Sequence, residues 1–331
     1  MPKALITGSA GFIGYHLCRR LLADGFDVVG FDALTDYYDV TLKQRRQANL
    51  LQTPRFRAVN ERLENDGVLA ELCAAERPDT IVHLAAQAGV RHSIDAPRSY
   101  VDANIIGTFN MLEAVRATPC AHLLIASTSS VYGANTAMPY AETDKADTQM
   151  SFYAATKKAT EAMAHSYAHL YAMPITLFRF FTVYGPWGRP DMALFKFTRA
   201  ILNGDPIDVY NYGRMQRDFT YIDDLVQGIR LLIDAVPGGD PAPGDSLSAV
   251  APCRVVNIGN GAPVQLLDYI AAIETATGRK AELRMLPMQP GDVPATWADG
   301  ALLRELTGFA PQTSVQDGVQ AFVEWYRDYF D

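Results

Sequence analysis

The sequence predicts an α/β fold in which helices cover both faces of a doubly wound parallel sheet. Short apolar runs alternate with segments of helical periodicity through the first half of the chain, an order typical of βαβ units. A glycine-rich turn joins the first predicted strand to the first helix, and an aspartate ends the second strand. Together these features indicate a Rossmann-type sheet followed by a smaller C-terminal α/β domain.

Strands are predicted where a run is brief, apolar and partly β-branched, and helices where apolar residues recur with helical spacing. The predicted strands are residues 3–7, 28–32, 80–84, 122–128 and 175–180. The predicted helices in this part of the chain are residues 12–23, 100–117 and 152–171. Strand and helix alternate throughout, as a doubly wound sheet requires.

The pattern becomes less regular after the strand at 175–180. Residues 236–253 are rich in Pro, Gly, Ser and Asp and predict a surface loop. Helical periodicity returns at 265–277 and 315–329. We therefore predict a first domain at residues 1–178 and a second, smaller domain at 179–331, with some later segments returning to the first.

Composition and charge narrow the classes of function. The chain of 331 residues is 49% hydrophobic and 20% charged, which is ordinary for a globular protein, and its formal net charge of -8 disfavours non-specific binding to nucleic acid. The four cysteines lie far apart, which suits a reducing compartment, and the histidines have no metal-ligand spacing. We therefore expect no metal site. No apolar stretch has the length of a membrane helix, so we expect a cytoplasmic protein.

The glycine-rich turn has the spacing of a dinucleotide-binding site, since Gly8, Gly11 and Gly14 form a GxxGxxG pattern. Glycine permits a tight turn and close approach of backbone to a pyrophosphate, while the helix N-terminus offers N–H groups to the phosphates. Asp32 ends the second strand, where a carboxylate can accept both hydroxyls of an adenosine ribose and would repel a 2′-phosphate. Such a turn can be purely structural, but strand, helix and acid in register predict NAD.

A second set of residues suits proton transfer. Tyr153 and Lys157 lie four apart on a predicted helix, so both side chains reach the same point. A phenol with an ordinary pKa of about 10 is a poor base at neutral pH, and a nearby ammonium favours its phenolate. The Ser/Thr-rich end of the strand at 122–128 supplies a hydroxyl to orient a substrate, and Thr128 is our candidate. A Tyr and a Lys at this spacing usually lie on a solvated helix face when no other motif accompanies them. Here they follow a dinucleotide-binding motif, which favours a catalytic role.

These residues, in this order, resemble the extended short-chain dehydrogenase/reductase family over nearly the whole chain. The most specific stretches are HLAAQAGVR at 83–91, YAATKK at 153–158 and RFFTVYGPWGRPD at 179–191. With YYDV at 37–40 and RDFTYIDD at 217–224, they look like the UDP-glucuronate 4-epimerase branch in particular. The resemblance implies NAD binding by the first domain and nucleotide-sugar binding mainly by the second.

The resemblance also implies the roles of individual residues. The implied catalytic set is Thr128, Tyr153 and Lys157. The implied cofactor site consists of Gly8, Gly11, Phe12, Ile13, Gly14, Asp32, Leu84, Ala85, Ala86, Asn104, Tyr153 and Lys157. The implied substrate site consists of Gln87, Thr128, Ser129, Ser130, Tyr153, Thr182, Arg189, Arg217 and Asp292. Of these, Thr182 and Arg189 would hold the sugar carboxylate, and Arg217 and Asp292 the nucleotide end.

The implied reaction is 4-epimerisation of a UDP-sugar, with UDP-glucuronate converted to UDP-galacturonate. Tyr153 would remove the proton of the 4-hydroxyl while the C4 hydride passes to NAD, and the hydride would return to the other face of the 4-keto sugar. That keto sugar is a β-keto acid and readily loses carbon dioxide. Contacts from Thr182 and Arg189 are therefore expected to restrain its carboxylate.

The residues after Thr128 help to separate this reaction from those of related enzymes. Dehydratases of the family resemble one another in carrying Asp-Glu directly after the catalytic Thr, and UDP-glucuronate decarboxylases carry Thr-Ser-Glu. Here Ser129 and Ser130 follow, which disfavours both reactions. UDP-glucose 4-epimerisation uses the same chemistry and stays open, although Arg189 in its GPWGRP setting favours the uronate. A non-catalytic NAD-sensing protein is the alternative from a different class.

The sequence departs from the family pattern at two positions, and both concern the adenosine end of the cofactor. Ala33 follows Asp32 where we expect Asn, and Arg62 stands where relatives usually place an Asp that accepts from the adenine amino group. These departures put cofactor affinity in doubt rather than the reaction. The helices at 100–117 and 152–171 resemble the pair that forms a four-helix dimer interface, so a homodimer is expected.

Overall fold

Parallel strands form one large sheet in the computed structural model, which describes residues 1–289 and 293–330. The strands are β1 (Lys3–Thr7), β2 (Asp27–Phe31), β3 (Phe56–Val59), β4 (Thr80–His83), β5 (His122–Thr128), β6 (Ile175–Phe180), β7 (Thr182–Tyr184), β8 (Ile207–Val209), β9 (Gln216–Tyr221), β10 (Cys253–Ile258), β11 (Pro263–Gln265), β12 (Leu283–Met285) and β13 (Ala295–Thr296). The α-helices are α1 (Phe12–Ala23), α2 (Val40–Leu51), α3 (Val68–Glu76), α4 (His92–Asp95), α5 (Pro97–Tyr100), α6 (Gly107–Ala117), α7 (Phe152–Tyr171), α8 (Ala193–Asn203), α9 (Ile222–Asp234), α10 (Leu266–Thr277), α11 (Ala301–Thr307) and α12 (Val315–Phe330). A π-helical turn spans Val101–Ile106, and 3-10 turns span Ser129–Tyr132 and Tyr210–Gly213.

The strand order of the large sheet is β10-β6-β5-β4-β1-β2-β3, and its neighbouring strands are all parallel. The chain proceeds outward from β1 to β3 and then returns to β4 on the other side of β1. The order therefore reverses between β1 and β4, and the loops at the carboxyl ends of these strands diverge to leave a crevice. The predicted doubly wound α/β fold is confirmed.

Helices cover both faces of the sheet because each strand directs alternate side chains to opposite faces. On one face, α1, α9 and α11 enclose an apolar core in which Leu17 and Ile229 are fully buried. On the other face, α3, α6 and α7 enclose a second core that contains Leu112 and Ala164. Burial on both faces explains why the strands are continuously apolar rather than alternating.

A smaller sheet lies in the C-terminal part of the chain. Strand β9 pairs with β7, β11 and β13, while β8 pairs separately with β12. Helices α8, α10 and α12 enclose a third core around these strands, in which the rings of Phe219 and Tyr269 stack at 3.8 Å. By contrast, β10 pairs with β6 in the large sheet. The domain boundary at 178/179 itself stays a prediction.

Several predicted bounds coincide with the observed ones, namely those of β1, α1, β5, α7 and β6. The continuous helix predicted at 100–117 is wrong, because α5, the π-helical turn and α6 divide this segment. The wide turn brings the buried Asn104 side chain to face the loop after β4. The loop predicted at 236–253 ends at residue 252 instead, because Cys253 begins β10 and pairs with Ile175 of β6. Helices α2, α3, α8 and α9 and strand β3 lie outside the predicted elements.

The surface loop that precedes β10 is held against α7 by two histidines. His165 Nε2 lies 2.8 Å from Ser248 Oγ, and His169 Nδ1 lies 2.7 Å from Val250 O. Across residues 1–289 and 293–330, no group of side chains is suited to hold a metal ion. Within the same ranges, no helix combines the length and apolar character needed to cross a bilayer.

Candidate active site

Two cavities open at the carboxyl edge of the large sheet and share part of their walls. The smaller, of about 400 Å³, follows the glycine-rich turn and the ends of β1, β2 and β4. The larger, of about 910 Å³, extends toward the C-terminal part of the chain. Thr128, Tyr153 and Arg189 line both cavities. Any group held in the smaller cavity therefore meets a ligand of the larger one at these side chains.

The glycine-rich turn shapes the smaller cavity by close backbone packing. Gly8 has a φ of +73°, and a Cβ atom at Gly14 would lie 2.0 Å from the carbonyl oxygen of Gly8. Helix α1 begins at Phe12, and no side chain caps its N-terminus. The first N–H groups of a helix have no intrahelical partner, so Phe12 and Ile13, which line the cavity, can offer donors to a pyrophosphate.

Asp32 lines the smaller cavity beside the glycine-rich turn and is fixed by hydrogen bonds from the backbone. Its Oδ2 accepts from the N–H of Ala10 at 3.0 Å, and its Oδ1 accepts from the N–H of Leu34 at 2.8 Å. Each oxygen keeps a further lone pair that can accept a ribose hydroxyl. Unpaired helix donors beside an oriented carboxylate fit NAD.

Most of the predicted cofactor residues line the smaller cavity: Gly8, Gly11, Phe12, Ile13, Gly14, Asp32, Leu84, Ala85, Ala86, Tyr153 and Lys157. Asn104 lies behind the cavity wall instead. Its carboxamide accepts from the N–H of Gln87 at 2.8 Å and donates to Gln87 O at 3.1 Å and to Thr156 Oγ1 at 3.0 Å. Asn104 thus ties the loop after β4 to α7, which carries Tyr153 and Lys157.

The proposed catalytic side chains come from β5 and the first two turns of α7. Ser151 caps α7, with its Oγ accepting from the N–H of Ala154 at 3.1 Å, and so fixes where the helix begins. Tyr153 and Lys157 follow one turn apart on the same face and both line the smaller cavity. Thr128, the last residue of β5, is hydrogen-bonded to the Tyr153 hydroxyl. The structure therefore brings the three predicted residues together.

Burial and charge act in opposite directions on these groups. Burial raises the pKa of Tyr153, although its hydrogen bond to Thr128 and the positive charge of Arg189 oppose the shift. Burial lowers the pKa of Lys157 to about 8, and the carboxylate of Glu161 opposes this shift. The protein alone therefore holds Tyr153 as a neutral phenol. Further positive charge beside it, which oxidised NAD carries, favours the phenolate.

A buried ion pair lies under the Tyr–Lys turn of α7. Glu161 accepts from Arg179 Nε and Nη2, both at 2.9 Å, and from Ser127 Oγ at 2.6 Å. These bonds join α7 to β5 and β6 below the cavities. Ser127 is bound to this pair, while the next residue, Thr128, meets Tyr153 where β5 ends.

Seven of the predicted substrate residues line the larger cavity: Thr128, Ser129, Ser130, Tyr153, Thr182, Arg189 and Arg217. Gln87 lines the smaller cavity instead. Asp292, the ninth predicted residue, lies outside the described residues. The predicted substrate residues around Thr128 are therefore hydroxyls and two arginines, groups that can bind a carboxylate, and the Asp191 carboxylate lines the same cavity.

Arg189 is held by an acidic neighbour that sequence reasoning left without a role. Its Nε and Nη2 donate to the carboxylate of Asp191 at 3.0 and 2.5 Å, and Tyr37 Oη donates to the same carboxylate at 3.2 Å. Burial by itself would raise the pKa of Asp191, but the Arg189 guanidinium outweighs it and the net pKa is lowered. Asp191 therefore stays ionised and holds the Nε–Nη2 edge of the Arg189 guanidinium.

Lys43 is a second residue that sequence reasoning missed. It lines the smaller cavity, and its ammonium donates to Thr35 O at 2.6 Å and to Thr35 Oγ1 at 2.9 Å. Its place on α2, outside the glycine motif, gave no spacing signal. The two departures from the family pattern, Ala33 and Arg62, also line this cavity, and Arg62 donates to Glu64 Oε1 at 2.9 Å.

Comparison with known proteins identifies the family. The sequence pattern of the NAD dependent epimerase/dehydratase family matches residues 4–258, well over half of the chain. The chain belongs to this family. The resemblance stated from sequence is confirmed, and NAD is the cofactor that the family and the shape of the smaller cavity both support.

Relatives of stated activity match over nearly the full chain. A probable UDP-glucuronate 4-epimerase of Rhizobium meliloti (strain 1021) is 58% identical and covers 98% of this chain and 96% of its own length. UDP-glucuronate 4-epimerase 2 of Arabidopsis thaliana is 43% identical and covers 99% of this chain and 76% of its own length. The crystal structure of UDP-glucuronic acid 4-epimerase from Bacillus cereus, in complex with UDP-glucuronic acid and NAD, is similar with a TM-score of 0.89 at 33% identity and covers 99% of this chain and 100% of that chain.

The buried Lys157 makes the stability of the cofactor-free protein depend on pH. Its pKa is about 8 in the folded protein against an ordinary value of 10.5, so between these pH values the unfolded state holds more protons. The penalty for burying the ammonium is thus complete below pH 8 and disappears by pH 10.5. We expect Lys157→Met to be more stable than the wild type at pH 7, by on the order of 3 kcal/mol.

Urea denaturation across this pH range measures the difference. The advantage of Lys157→Met should decrease as the pH rises from 8 to 10.5. Lys145→Met is the matched control, because the Lys145 side chain is exposed and should show no such change over the range. A difference between Lys157→Met and the wild type that is independent of pH would contradict the burial of a charged Lys157.

Proposed function

We propose that the protein interconverts UDP-glucuronate and UDP-galacturonate by epimerisation at C4, with NAD bound in the smaller cavity and the UDP-sugar in the larger one. The meeting of Tyr153, Thr128 and Arg189 at the junction of the two cavities carries this proposal. Support comes from relatives that cover nearly all of this chain, among them the probable UDP-glucuronate 4-epimerase of Rhizobium meliloti and UDP-glucuronate 4-epimerase 2 of Arabidopsis thaliana. A similar structure binds UDP-glucuronic acid together with NAD. On this proposal, residues 1–178 mainly bind NAD and residues 179–331 mainly bind the UDP-sugar.

Proton transfer in this reaction belongs to Tyr153. Bound NAD supplies a reversible hydride acceptor, which removes hydrogen from C4 of the sugar and returns it to the opposite face. Tyr153 accepts the proton of the 4-hydroxyl as the carbonyl forms and returns it when the hydroxyl is restored. Thr128 donates to or accepts from the same oxygen and holds it near the phenol. Lys157 favours the phenolate by its charge, so proton and hydride can leave together.

Arg189 distinguishes the uronate from neutral sugars. The Nε–Nη2 edge of Arg189 is bound to Asp191, which leaves the Nη1 hydrogens and the second Nη2 hydrogen to donate to the sugar carboxylate. A 4-keto uronate loses carbon dioxide when its carboxylate carbon–carbon bond stands perpendicular to the carbonyl plane. Held by Arg189 together with the hydroxyls of Thr182 and Ser129, the carboxylate is kept from that geometry and the sugar survives until it is reduced again.

The hydroxyls after Thr128 disfavour the reactions of related enzymes. Ser129 and Ser130 open the 3-10 turn Ser129–Tyr132 and line the larger cavity. A dehydratase or decarboxylase of this family would place a carboxylic acid in this turn to move a proton at C5 or C6. Hydroxyl groups cannot take that role at neutral pH, which leaves epimerisation as the supported reaction.

Product analysis with a single conservative variant tests the proposal. Incubation of the wild type with UDP-glucuronate and NAD should give UDP-galacturonate, resolved by chromatography and proton NMR. Tyr153→Phe should lower kcat by roughly 100-fold or more, because it removes the acid–base group and little else. Tyr171→Phe, an exposed residue at the other end of α7, is the matched control and should retain full activity.

Other products would lead to different conclusions. A UDP-pentose and carbon dioxide from the wild type would mean that the protein is a decarboxylase. Conversion of UDP-glucose to UDP-galactose without reaction of UDP-glucuronate would keep the roles of Tyr153 and Thr128 and contradict that of Arg189. No change in any nucleotide sugar would favour a non-catalytic NAD-binding role.

Substitution of Arg189 tests whether this residue binds the carboxylate of the sugar. Arg189→Met should raise KM for UDP-glucuronate by about tenfold or more, because a charge-assisted pair is lost. The same variant should release carbon dioxide and a UDP-pentose, since the keto sugar is no longer restrained. UDP-glucose, which has no carboxylate, is the matched substrate, and its kcat/KM should change much less. Equal losses with both substrates would contradict the assignment.

We also propose that the protein is a homodimer in the cytoplasm. Large apolar side chains are exposed on two helices, Phe109 on α6 and Leu170 and Tyr171 on α7, and a second copy of the chain can cover them. The four cysteines are free, which suits a reducing compartment. Sedimentation should give twice the mass of the chain, and Phe109→Glu with Leu170→Glu should give a monomer. Leu51→Glu, on the exposed end of α2, is the control and should remain dimeric.

A further inference from the structure

A buried arginine on α2 lies between the glycine-rich turn and the loop that carries Arg189. The Arg46 side chain is 0% exposed. Its Nη1 donates to Ala10 O at 3.0 Å, and its Nη2 donates to the carbonyl oxygens of Trp187 and, at 3.3 Å, of Gly188. These acceptors are neutral, and burying a guanidinium with neutral partners alone is unfavourable. The cost of burying the Arg46 guanidinium must therefore be offset by what its hydrogen bonds hold in place.

The loop that Arg46 holds has an unfavourable backbone. Trp187 has a φ of +59°, in the left-handed region that a bulky L-residue rarely adopts. Two contacts from α1 support the same loop: His16 Nε2 lies 2.9 Å from Pro186 O, and the Tyr15 ring lies 5.4 Å from that of Trp187. Arg189 follows Trp187 by two residues, so the direction of its side chain depends on this turn.

The Tyr-Tyr motif at 37–38, which the sequence singled out and the reaction did not use, belongs to the same arrangement. Tyr38 Oη accepts from Arg46 Nη1 at 2.8 Å. Its neighbour Tyr37 donates to Asp191, the carboxylate that pairs with Arg189. The segment therefore contacts both ends of the loop, through Arg46 at Trp187 and through Tyr37 at Asp191.

We propose that Arg46 is a positioning residue that acts through Arg189. It holds the 185–189 loop in its left-handed turn, directs Arg189 to the junction of the cavities, and ties this loop to the backbone of the NAD-binding turn at Ala10. Arg46 lines neither cavity, so its action passes through the backbone it holds. The inference rests on the proposed function, because it takes the sugar carboxylate as the partner of Arg189.

The chemistry of the side chain makes the proposal specific to arginine. A planar guanidinium directs donors to carbonyls on opposite sides, whereas a lysine ammonium is a point charge that cannot reach Ala10, Trp187 and Gly188 together. Arg46→Lys should therefore behave like Arg46→Met in substrate binding. Retention of charge alone should not restore the position of Arg189.

The experiment compares Arg46→Lys and Arg46→Met with Arg45→Met, an exposed neighbour on the same helix. Both Arg46 variants should raise KM for UDP-glucuronate by about tenfold and increase the share of UDP-pentose among the products. KM for UDP-glucose and the Kd of UDP alone should change by less than about threefold, because neither ligand has a carboxylate. Arg45→Met should match the wild type in each measurement.

A double-mutant cycle with Arg189→Met shows whether Arg46 acts through that residue. If it does, Arg46→Met should add less than about twofold to the KM of the Arg189→Met protein, although it costs about tenfold in the wild type. If the rise in KM of the double variant equals the product of the rises of the two single variants, the proposal is overturned. Equal rises in KM for UDP-glucuronate and UDP-glucose in the Arg46 variants would also overturn it. If Arg46→Met does not fold, the cycle is run with Arg46→Lys.

Failure of the proposed function gives a different result. A wild type that converts no UDP-glucuronate would overturn the epimerase itself, before any variant is compared. A wild type that forms UDP-galacturonate while both Arg46 variants keep its KM and product ratio would overturn the role of Arg46 and leave the epimerase in place.

Discussion

Close packing of backbone at the glycine-rich turn is the constraint on which the rest of the site depends. A Cβ atom at Gly14 would lie 2.0 Å from the Gly8 carbonyl oxygen, and one at Gly8 would lie 2.9 Å from the backbone nitrogen of Ala85. Only glycine allows β1 to pass into α1 while β4 runs directly alongside. The N-terminus of α1, the Asp32 carboxylate and the end of β4 therefore share one cavity. Because Ala10 also accepts from Arg46, the same turn is connected to the loop that carries Arg189.

The charges that matter for function are local and oppose the net charge of the protein. The chain has a formal net charge of -8, yet Arg189 lines both cavities, and Lys157 and Lys43 line the smaller one. Diphosphates and a uronate carry several negative charges, so cations at these positions favour the anionic ligands where solvent screening is weakest. Asp32 is the counterpart at the adenosine end, where hydroxyls rather than phosphates must be bound. The positions of these few charged side chains, rather than the net charge of the chain, therefore decide which ligands the cavities favour.

Local sequence signals were sufficient for the elements that are both regular and buried. The bounds of β1, α1, β5, α7 and β6 follow from apolar periodicity, because each of these elements packs one or two faces into a core. The same signals failed at the π-helical turn, since Asn104 is drawn inward by a hydrogen bond to Gln87 far away in sequence. Strand β10 was assigned in part to a loop because its partner, β6, lies some eighty residues earlier in the chain. Long-range pairing leaves little trace in local composition.

The sequence by itself determined the fold class, the NAD turn and the order of Thr128, Tyr153 and Lys157, because each depends on spacing within one strand, helix or turn. The tertiary structure alone decided which charges surround them. That Asp191 pairs with Arg189, that Tyr37 reaches Asp191, and that Arg46 holds the intervening loop depend on contacts between segments separated by up to 154 residues. Such contacts form when helices and loops pack on the finished sheet. Spacing along the chain cannot encode them, since it records only neighbours in sequence.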